Sequence, residues 1–157
     1  MKVAIIDYGA GNTQSVKYAL KRLGCEGVLT SDKEVISKSD KVIFPGVGQA
    51  SSAMKKLKSK SLDVLIPNLK QPVLGICLGM QLMCNFSEEG DVDCLRIFDS
   101  NVKRFNNLLK VPQIGWNTIF DLKTKLFDSI KSLGCASRFN DYLACGFGCL
   151  FFWKTIW

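Results

Sequence analysis

The stretch Pro72-Val73-Leu74-Gly75-Ile76-Cys77-Leu78-Gly79 decides the fold class, because it joins an apolar run to a cysteine that stands between two glycines. The apolar run from Pro72 to Ile76 predicts a buried strand, and helical spacing begins at Leu78. A glycine–X–cysteine–X–glycine turn between a strand and a helix is the thiol counterpart of the nucleophile elbow. The glycines fit this geometry, since side chains there would collide with neighbouring elements. We therefore predict Cys77 as a catalytic nucleophile.

The same turn predicts an activated thiol at Cys77. The positive end of a helix dipole favours negative charge, so we expect a thiol pKa lowered toward the reactive thiolate. The amide of Leu78 would then be available as an oxyanion donor. The structural alternative is a buried cysteine between two packing glycines, since free cysteine commonly behaves as a small hydrophobe.

On either side of this turn, short apolar runs alternate with segments of helical spacing. The predicted strands are residues 2–7, 26–30, 41–44 and 72–76. The predicted helices are residues 12–23, 50–59 and 61–69 and a segment from Leu78 onward. A further helix is expected to begin with a capping box at Ser31-Asp32-Lys33-Glu34. Gly24 is expected to close the first helix. The alternation predicts an α/β fold, a parallel sheet with helices on both faces and its ligand-binding loops at one edge. Beyond residue 92, the segments Asn101–Phe105 and Gly115–Phe120 suit an added antiparallel layer.

Two more glycine-rich loops follow strands at the same edge. Pro45-Gly46-Val47-Gly48 lets the backbone approach a substrate, and a rotated peptide there would offer a second oxyanion N–H from Val47 or Gly48. Taken alone, this loop is more simply a tight turn. Gly9-Ala10-Gly11-Asn12 fails the dinucleotide-binding pattern because Gln14 stands at its sixth position, and no phosphate-binding lysine motif follows.

Composition excludes several classes of function. The 157 residues fit one domain, and 47% apolar residues with a formal charge of +7 are ordinary for a globular protein. The basic run 55–60 has no aromatic residue to stack on bases, so we interpret it as a solvated helix face and expect no nucleic acid. No apolar run approaches the roughly 20 residues of a membrane span, and we expect a cytoplasmic protein with reduced thiols. Cys135, Cys145 and Cys149 lack an obvious fourth ligand for zinc, so we expect neither metal nor cofactor.

Four segments together resemble one protein family. They are Asp7-Tyr8-Gly9-Ala10-Gly11-Asn12, Pro45-Gly46-Val47-Gly48, Gly75-Ile76-Cys77-Leu78-Gly79-Met80-Gln81 and Pro112-Gln113-Ile114-Gly115-Trp116-Asn117. They look like the glutaminase subunit of imidazole glycerol phosphate synthase, which is a class I glutamine amidotransferase. The resemblance covers about residues 1–130 and implies a flavodoxin-like arrangement of the α/β fold.

The resemblance also implies a reaction and a set of residue roles. Cys77 would attack the side-chain amide of glutamine and, through an oxyanion and a thioester, release ammonia and glutamate. The ammonia would pass to a (β/α)₈-barrel cyclase subunit, with which the chain would form a heterodimer in histidine biosynthesis. The implied roles are Val47 and Leu78 as oxyanion donors, Gly48, Gln81 and Glu89 as glutamine contacts, and Asn12, Pro112, Ile114 and Trp116 as the cyclase interface.

The chain departs from the family's pattern toward its end. The family completes its site with a histidine-proline-glutamate segment and lines the pocket with a histidine-serine-tyrosine segment, whereas this sequence contains no histidine. We therefore predict a C-terminally truncated amidotransferase domain over residues 1–130 and a divergent tail, 131–157, whose composition suggests a shifted reading frame. Because general acid–base help is worth about 10²–10⁴-fold, we expect little or no glutaminase activity. Because the missing segments would also remove sheet and helix from the core, we expect a less stable fold.

Two other functions stay open at this point. A non-catalytic subunit that docks a cyclase through Asn12 and Trp116 would need no histidine. A glutaminase subunit of another ammonia-using synthase would share the elbow, since the whole amidotransferase class has it. Met80 and Gly115-Trp116-Asn117 favour the imidazole glycerol phosphate synthase resemblance over this third possibility.

Overall fold

The computed structural model describes residues 1–104 in full and, further along the chain, the backbone of strands within residues 114–154. The helices are α1 (Thr13–Arg22), α2 (Lys33–Ser37), α3 (Ala50–Ser59), α4 (Leu62–Asn68) and α5 (Leu78–Gln81). The strands are β1 (Val3–Ile6), β2 (Gly27–Thr30), β3 (Lys41–Phe44), β4 (Val73–Ile76), β5 (Phe86–Ser87), β6 (Val92–Asp93), β7 (Asn101–Arg104), β8 (Ile114–Ile119), β9 (Leu133–Arg138), β10 (Tyr142–Ala144) and β11 (Phe151–Lys154).

The largest sheet has the strand order β11-β4-β3-β1-β2. Strands β4, β3, β1 and β2 are parallel, with Ile5 opposite Ile43 and Ile43 opposite Leu74. This confirms the predicted parallel sheet, and it brings the C-terminal ends of β1, β3 and β4 to one edge. Strand β11, from the predicted tail, pairs antiparallel with β4 at the outer side of the sheet.

Side chains that alternate along the strands pack into two separate hydrophobic cores, one on each face of the sheet. Ala4 and Ile6 face a large cluster that includes Leu57 of α3 and Leu62 of α4. The intervening residues of β1 face a smaller cluster with Leu20 of α1. Because successive strand residues point to opposite faces, a continuously apolar strand requires helices on both sides, as the sequence predicted.

The smaller sheets only partly match the predicted antiparallel layer. Pairing is antiparallel between β8 and β9, between β10 and β7, and between β5 and β6. However, β5 runs parallel to β7. The β5–β6 hairpin was not predicted at all, because the expected helix from Leu78 onward ends at Gln81 and the chain turns back.

Helix ends show where local patterns were interpreted correctly and where they were not. Gly24 follows α1 with a φ of 69° and its N–H donates to Lys21 O, as expected for a helix-closing glycine. The predicted capping box is wrong in detail. Asp32, not Ser31, caps α2 by accepting from the amides of Glu34 and Val35 at 2.8 and 3.1 Å. The side chain of Glu34 instead pairs with Lys38 at 3.1 Å.

The basic face of α3 has a structural role that its composition did not show. Lys56 Nζ donates to the carbonyl of Gly9 at 2.8 Å, and Lys60 Nζ donates to the carbonyl of Asp7 at 2.9 Å. The prediction of a merely solvated face is therefore wrong for these two lysines. They hold the loop between β1 and α1 against α3.

Over the residues that the structure describes, no helix is both long enough and apolar enough to cross a bilayer.

Replacement of Leu57 by alanine tests the larger core. Leu57 is 0% exposed between the sheet and α4, so we expect Leu57→Ala to lower the free energy of unfolding by about 2–5 kcal/mol. Urea denaturation followed by circular dichroism measures this change. Val64→Ala is the control, because Val64 is 64% exposed and should change the free energy of unfolding by less than about 0.5 kcal/mol. Equal losses in both variants would contradict this assignment of the core.

Candidate active site

Cys77 lies in a strained turn between the end of β4 and the start of α5. Its φ of 53° and ψ of −119° fall outside the regions that side-chain-bearing residues normally occupy. Such a conformation costs about 1–3 kcal/mol and persists only where the surrounding structure enforces it. The predicted strand–turn–helix setting of Cys77 is confirmed, and it is the backbone setting of a nucleophile elbow.

The two flanking glycines are required by close approach of neighbouring groups. A Cβ atom on Gly75 would lie 2.8 Å from both Met80 Cα and Met83 Sδ. A Cβ atom on Gly79 would overlap the carbonyl oxygen of Phe44, the last residue of β3. The elbow is therefore pressed against the neighbouring strand of the sheet, as the sequence argument for glycine supposed.

The Pro45–Gly48 loop, hereafter called the oxyanion loop after its predicted role, continues from β3 directly beside the elbow. A Cβ atom on Gly46 would lie 2.6 Å from the backbone nitrogen of Gly79 and 2.9 Å from Leu78 Cβ. The side chain of Val47 is 52% exposed, and Gly48 has a φ of 95°. The loop thus presents backbone toward the elbow, and the roles of Val47 and Gly48 at an oxyanion remain predictions.

The environment of the Cys77 thiol corrects the expected direction of its pKa. Burial raises the pKa of Cys77, the hydrogen bond from the Leu78 amide lowers it, and the negative charge of Glu89 raises it. The predicted net lowering is wrong because α5 has a single turn, Leu78–Gln81, whose small dipole does not offset the desolvation of the sulfur. The thiol therefore needs a base to become a nucleophile near neutral pH.

Gln81 and Glu89, which were both predicted to contact glutamine, lie on two different elements. Gln81 ends α5, is 3% exposed, and its buried Oε1 accepts no hydrogen bond from any residue described in the structure. A buried amide oxygen without a donor is costly, so this atom is well suited to receive a donor from a ligand. Glu89 lies in the turn between β5 and β6, close enough for its charge to act on Cys77.

Glycine at position 90 explains how the hairpin with Glu89 reaches the site. Gly90 has a φ of 83°, and a Cβ atom there would lie 2.5 Å from Ser51 Oγ in the first turn of α3. The hairpin turn is therefore seated against α3, next to the oxyanion loop. Sequence reasoning did not identify Gly90, because the hairpin itself was not predicted.

The predicted cyclase-interface residues are only partly described. Asn12 caps α1, where its side chain accepts from the Ser15 amide at 3.2 Å. Ile114 and Trp116 belong to β8, of which the structure describes the backbone. Pro112 lies outside the described residues, as do the side chains of the three tail cysteines at positions 135, 145 and 149.

Tyr8 belongs to the site but was not singled out from the sequence. It is 1% exposed at the end of β1, and its hydroxyl donates to the carbonyl of Pro45 at 3.0 Å. Burial and the nearby charge of Cys77 both raise the pKa of Tyr8 above its usual range. The only sequence signal was its place in the Asp7–Asn12 segment, since a contact across 37 residues leaves no local pattern.

Comparison with known proteins agrees with this geometry. Residues 4–138 match the family described as "Glutamine amidotransferase class-I". The chain belongs to this family. Its recognition from the four sequence segments is thereby confirmed, together with the predicted fold class.

Curated amidotransferase relatives share much of the sequence. The chain is 65% identical over 130 residues to a protein of Bacteroides fragilis named "Imidazole glycerol phosphate synthase subunit HisH", covering 81% of this chain and 66% of that protein. It is 62% identical over 131 residues to the protein of the same name from Bacteroides thetaiotaomicron, covering 82% and 67% of the two chains. The chain thus spans about two thirds of the length of these relatives.

Solved structures show that the amidotransferase fold persists at low sequence identity. A crystal structure described as a glutamine amidotransferase superimposes with a TM-score of 0.70 at 18% identity, covering 93% of this chain and 75% of that one. A crystal structure from Thermoplasma acidophilum, described as one subunit of a GMP synthase, gives a TM-score of 0.64, also at 18% identity, covering 92% and 67%. At such identity the likeness supports the fold alone.

Alkylation of Cys77 at different pH values tests the state of its thiol. Because burial raises the pKa of Cys77, its reaction with iodoacetamide should be slower than that of glutathione at pH 7 and should rise to a plateau at higher pH. Intact-mass spectrometry with peptide mapping measures the rates, and Cys77→Ser identifies the Cys77 adduct. A plateau reached below pH 7 would show an activated thiolate and contradict the assigned environment.

Substitution of Gly79 tests the packing of the elbow. The new methyl group of Gly79→Ala would overlap the Phe44 carbonyl, so we expect a loss of about 1–3 kcal/mol in the free energy of unfolding by overpacking. Ser52→Ala on the exposed side of α3 is the control and should be nearly neutral. Chemical denaturation compares the two variants, and an equally stable Gly79→Ala protein would show that the elbow is not so tightly packed.

Proposed function

We propose that this chain carries the nucleophile part of the glutaminase site of imidazole glycerol phosphate synthase. One observation carries the proposal. Cys77 has a strained backbone conformation, and it stands between two glycines at which neighbouring groups leave no room for a side chain. The names of the Bacteroides relatives support the assignment to this synthase. We place the protein in the cytoplasm, where its thiols stay reduced.

The proposed chemistry begins with attack on an amide. The Cys77 sulfur, as thiolate, forms a bond to the side-chain carbonyl carbon of glutamine, and the carbonyl π electrons move to the oxygen. The amide of Leu78, which already donates toward the sulfur, and an amide of the oxyanion loop stabilise this oxyanion. The amide nitrogen then takes a proton from solvent, the oxyanion electrons re-form the carbonyl, and the carbon–nitrogen bond breaks, so that ammonia leaves and a thioester remains. Water hydrolyses the resulting thioester to glutamate and restores Cys77.

Gln81 and Glu89 are proposed to hold the substrate. The buried Oε1 of Gln81 needs a donor that a polar substrate such as glutamine can supply. The carboxylate of Glu89 attracts the α-ammonium group of glutamine, and neutralising that carboxylate relieves its repulsion of the Cys77 thiolate. Substrate binding would therefore favour ionisation of the nucleophile. Gly48, with no side chain, leaves room for glutamine beside the loop.

Turnover by these 157 residues is limited by the absence of an acid–base group. The sequence has no histidine, and the pKa of Cys77 is raised. A protonated thiol is a weak nucleophile, and the departing nitrogen lacks a proton donor. We expect hydrolysis about 10²–10⁴-fold slower than at an otherwise equal site with a thiol–histidine pair.

The cyclase partner follows from the relatives, which are named as subunits of the synthase. We propose a heterodimer in which ammonia passes to the cyclase. The interface with the cyclase would include Asn12 at the start of α1 and Ile114 and Trp116 in β8. Pro112 would also belong to it. A non-catalytic subunit that still docks a cyclase is the second candidate, since docking requires no acid–base group.

A substrate-protection experiment tests the glutamine site independently of turnover. Glutamine should slow the alkylation of Cys77 by iodoacetamide in a saturable manner, because it occupies the space above the sulfur. Cys25 is the internal control, since it lies at the end of α1 in the other core cluster and should react at an unchanged rate. Asparagine, one methylene shorter, should protect less. Absence of protection by glutamine would reject the proposed substrate.

Glutamate release distinguishes the catalytic hypothesis from the non-catalytic one. The chain and its Cys77→Ser variant are incubated with glutamine, with and without the cyclase, and glutamate is quantified. We expect slow, Cys77-dependent release that the cyclase increases. Release equal in both variants would favour the non-catalytic subunit, whereas turnover typical of enzymes, about 10 s⁻¹, would contradict the expected need for histidine.

A further inference from the structure

We propose that the Tyr8 hydroxyl is the anchor that fixes the backbone of the oxyanion loop, so that Tyr8 is a positioning residue for the tetrahedral intermediate at Cys77. The proposal rests on the glutaminase function proposed above and adds a residue to it. Tyr8 would not contact the substrate. It would act through the peptide group that it holds at the base of the loop.

The anchoring contact joins the ends of two neighbouring strands. Tyr8 follows β1, and its hydroxyl donates to the carbonyl of Pro45, the first residue after β3, at 3.0 Å. A planar trans peptide carries its C=O and N–H on opposite sides, so holding Pro45 O also sets the direction of the Gly46 N–H. Rotation of backbone toward an oxyanion is then confined to the peptides that follow Gly46.

Packing leaves the anchored peptide little freedom. The Tyr8 ring meets Phe44 edge to face with centroids 5.5 Å apart, and Tyr8 is almost fully buried. A Cβ atom on Gly46 would lie 2.7 Å from the Tyr8 hydroxyl and 2.6 Å from the Gly79 nitrogen. Gly46 is therefore held between the tyrosine and the elbow, and the hydroxyl sets the spacing between the oxyanion loop and Cys77.

The donor persists while the nucleophile changes its charge. Burial, and secondarily the charge of Cys77, raise the pKa of Tyr8 above its ordinary value. The hydroxyl consequently keeps its proton both when Cys77 is a thiol and when it is a thiolate. A tyrosine here gives the loop the same anchor in every state of the reaction.

The test separates binding of glutamine from stabilisation of a tetrahedral adduct. Glutamate γ-semialdehyde offers an aldehyde where glutamine has its amide. The Cys77 sulfur adds to the aldehyde carbon, the carbonyl π bond breaks, and the thiol proton moves to the new oxygen. The product is a thiohemiacetal whose oxygen occupies the oxyanion position. Protection of Cys77 from iodoacetamide gives a binding constant for this aldehyde and another for glutamine.

Tyr8→Phe removes the hydroxyl and keeps the ring that packs on Phe44. Loss of a whole oxyanion donor costs about 10²–10³-fold, so a loosened donor should weaken aldehyde protection by about tenfold. Glutamine protection should change by less than about twofold, because ground-state binding does not use the oxyanion donors. Tyr18→Phe, on the exposed side of α1, is the matched control and should leave both constants unchanged.

The remaining outcomes each decide the proposal. Equal weakening of aldehyde and glutamine protection in Tyr8→Phe would assign Tyr8 to general packing and overturn the anchor, as would no change in either constant. If the parent chain is protected by neither ligand, the proposed function fails and the anchor fails with it.

Thermal melting checks the fold of Tyr8→Phe. If this variant does not fold, 3-fluorotyrosine at position 8, a stronger donor of the same shape, should tighten aldehyde protection, and unchanged protection would overturn the proposal.

Discussion

The contact between the backbone of Gly79 and the carbonyl end of β3 is the constraint on which the rest of the site depends. No side chain fits at Gly79, because its Cβ would coincide with the Phe44 carbonyl, and none fits at Gly46, which faces the Gly79 nitrogen. Two neighbouring strand ends are therefore in direct backbone contact. That contact holds the turn at Cys77 in a positive-φ conformation that an isolated peptide would rarely adopt. The same contact places the Pro45–Gly48 loop next to the turn at Cys77.

Side chains from neighbouring elements stabilise the loops around this backbone contact. Lys56 of α3 and Lys60, which directly follows that helix, donate to carbonyl groups of the loop after β1. Tyr8 from the same loop donates to the carbonyl of Pro45. Gly11 approaches the Pro45 ring from the other side, where a Cβ would lie 3.1 Å away. Long, charged side chains thus stabilise a region where glycine-rich backbone has little side-chain packing of its own.

Local sequence patterns predicted this fold well where one element decides the outcome. The predicted ends agree within about two residues for the strands β1, β3 and β4 and the helices α1 and α3. The spacing of apolar residues and a glycine that closes a helix are both set by a few neighbouring residues. The predictions failed where elements compete. Asp32 replaced Ser31 as the cap of α2, and the helix after Cys77 ended at Gln81 because the chain turns into the β5–β6 hairpin. The thiol pKa was also misjudged, since a helix of one turn supplies less stabilisation than burial removes.

The sequence by itself determined the sheet and the elbow at Cys77, because a strand of apolar residues and a cysteine between glycines are local statements about burial and backbone freedom. It also showed that these 157 residues contain no histidine. Only the tertiary structure decided the surroundings of the sulfur. The charge of Glu89 acts on Cys77 from the β5–β6 turn, and the Tyr8 hydroxyl holds the carbonyl of Pro45 beside the elbow. Their effects depend on distance and desolvation across the folded chain, which no short stretch of residues encodes.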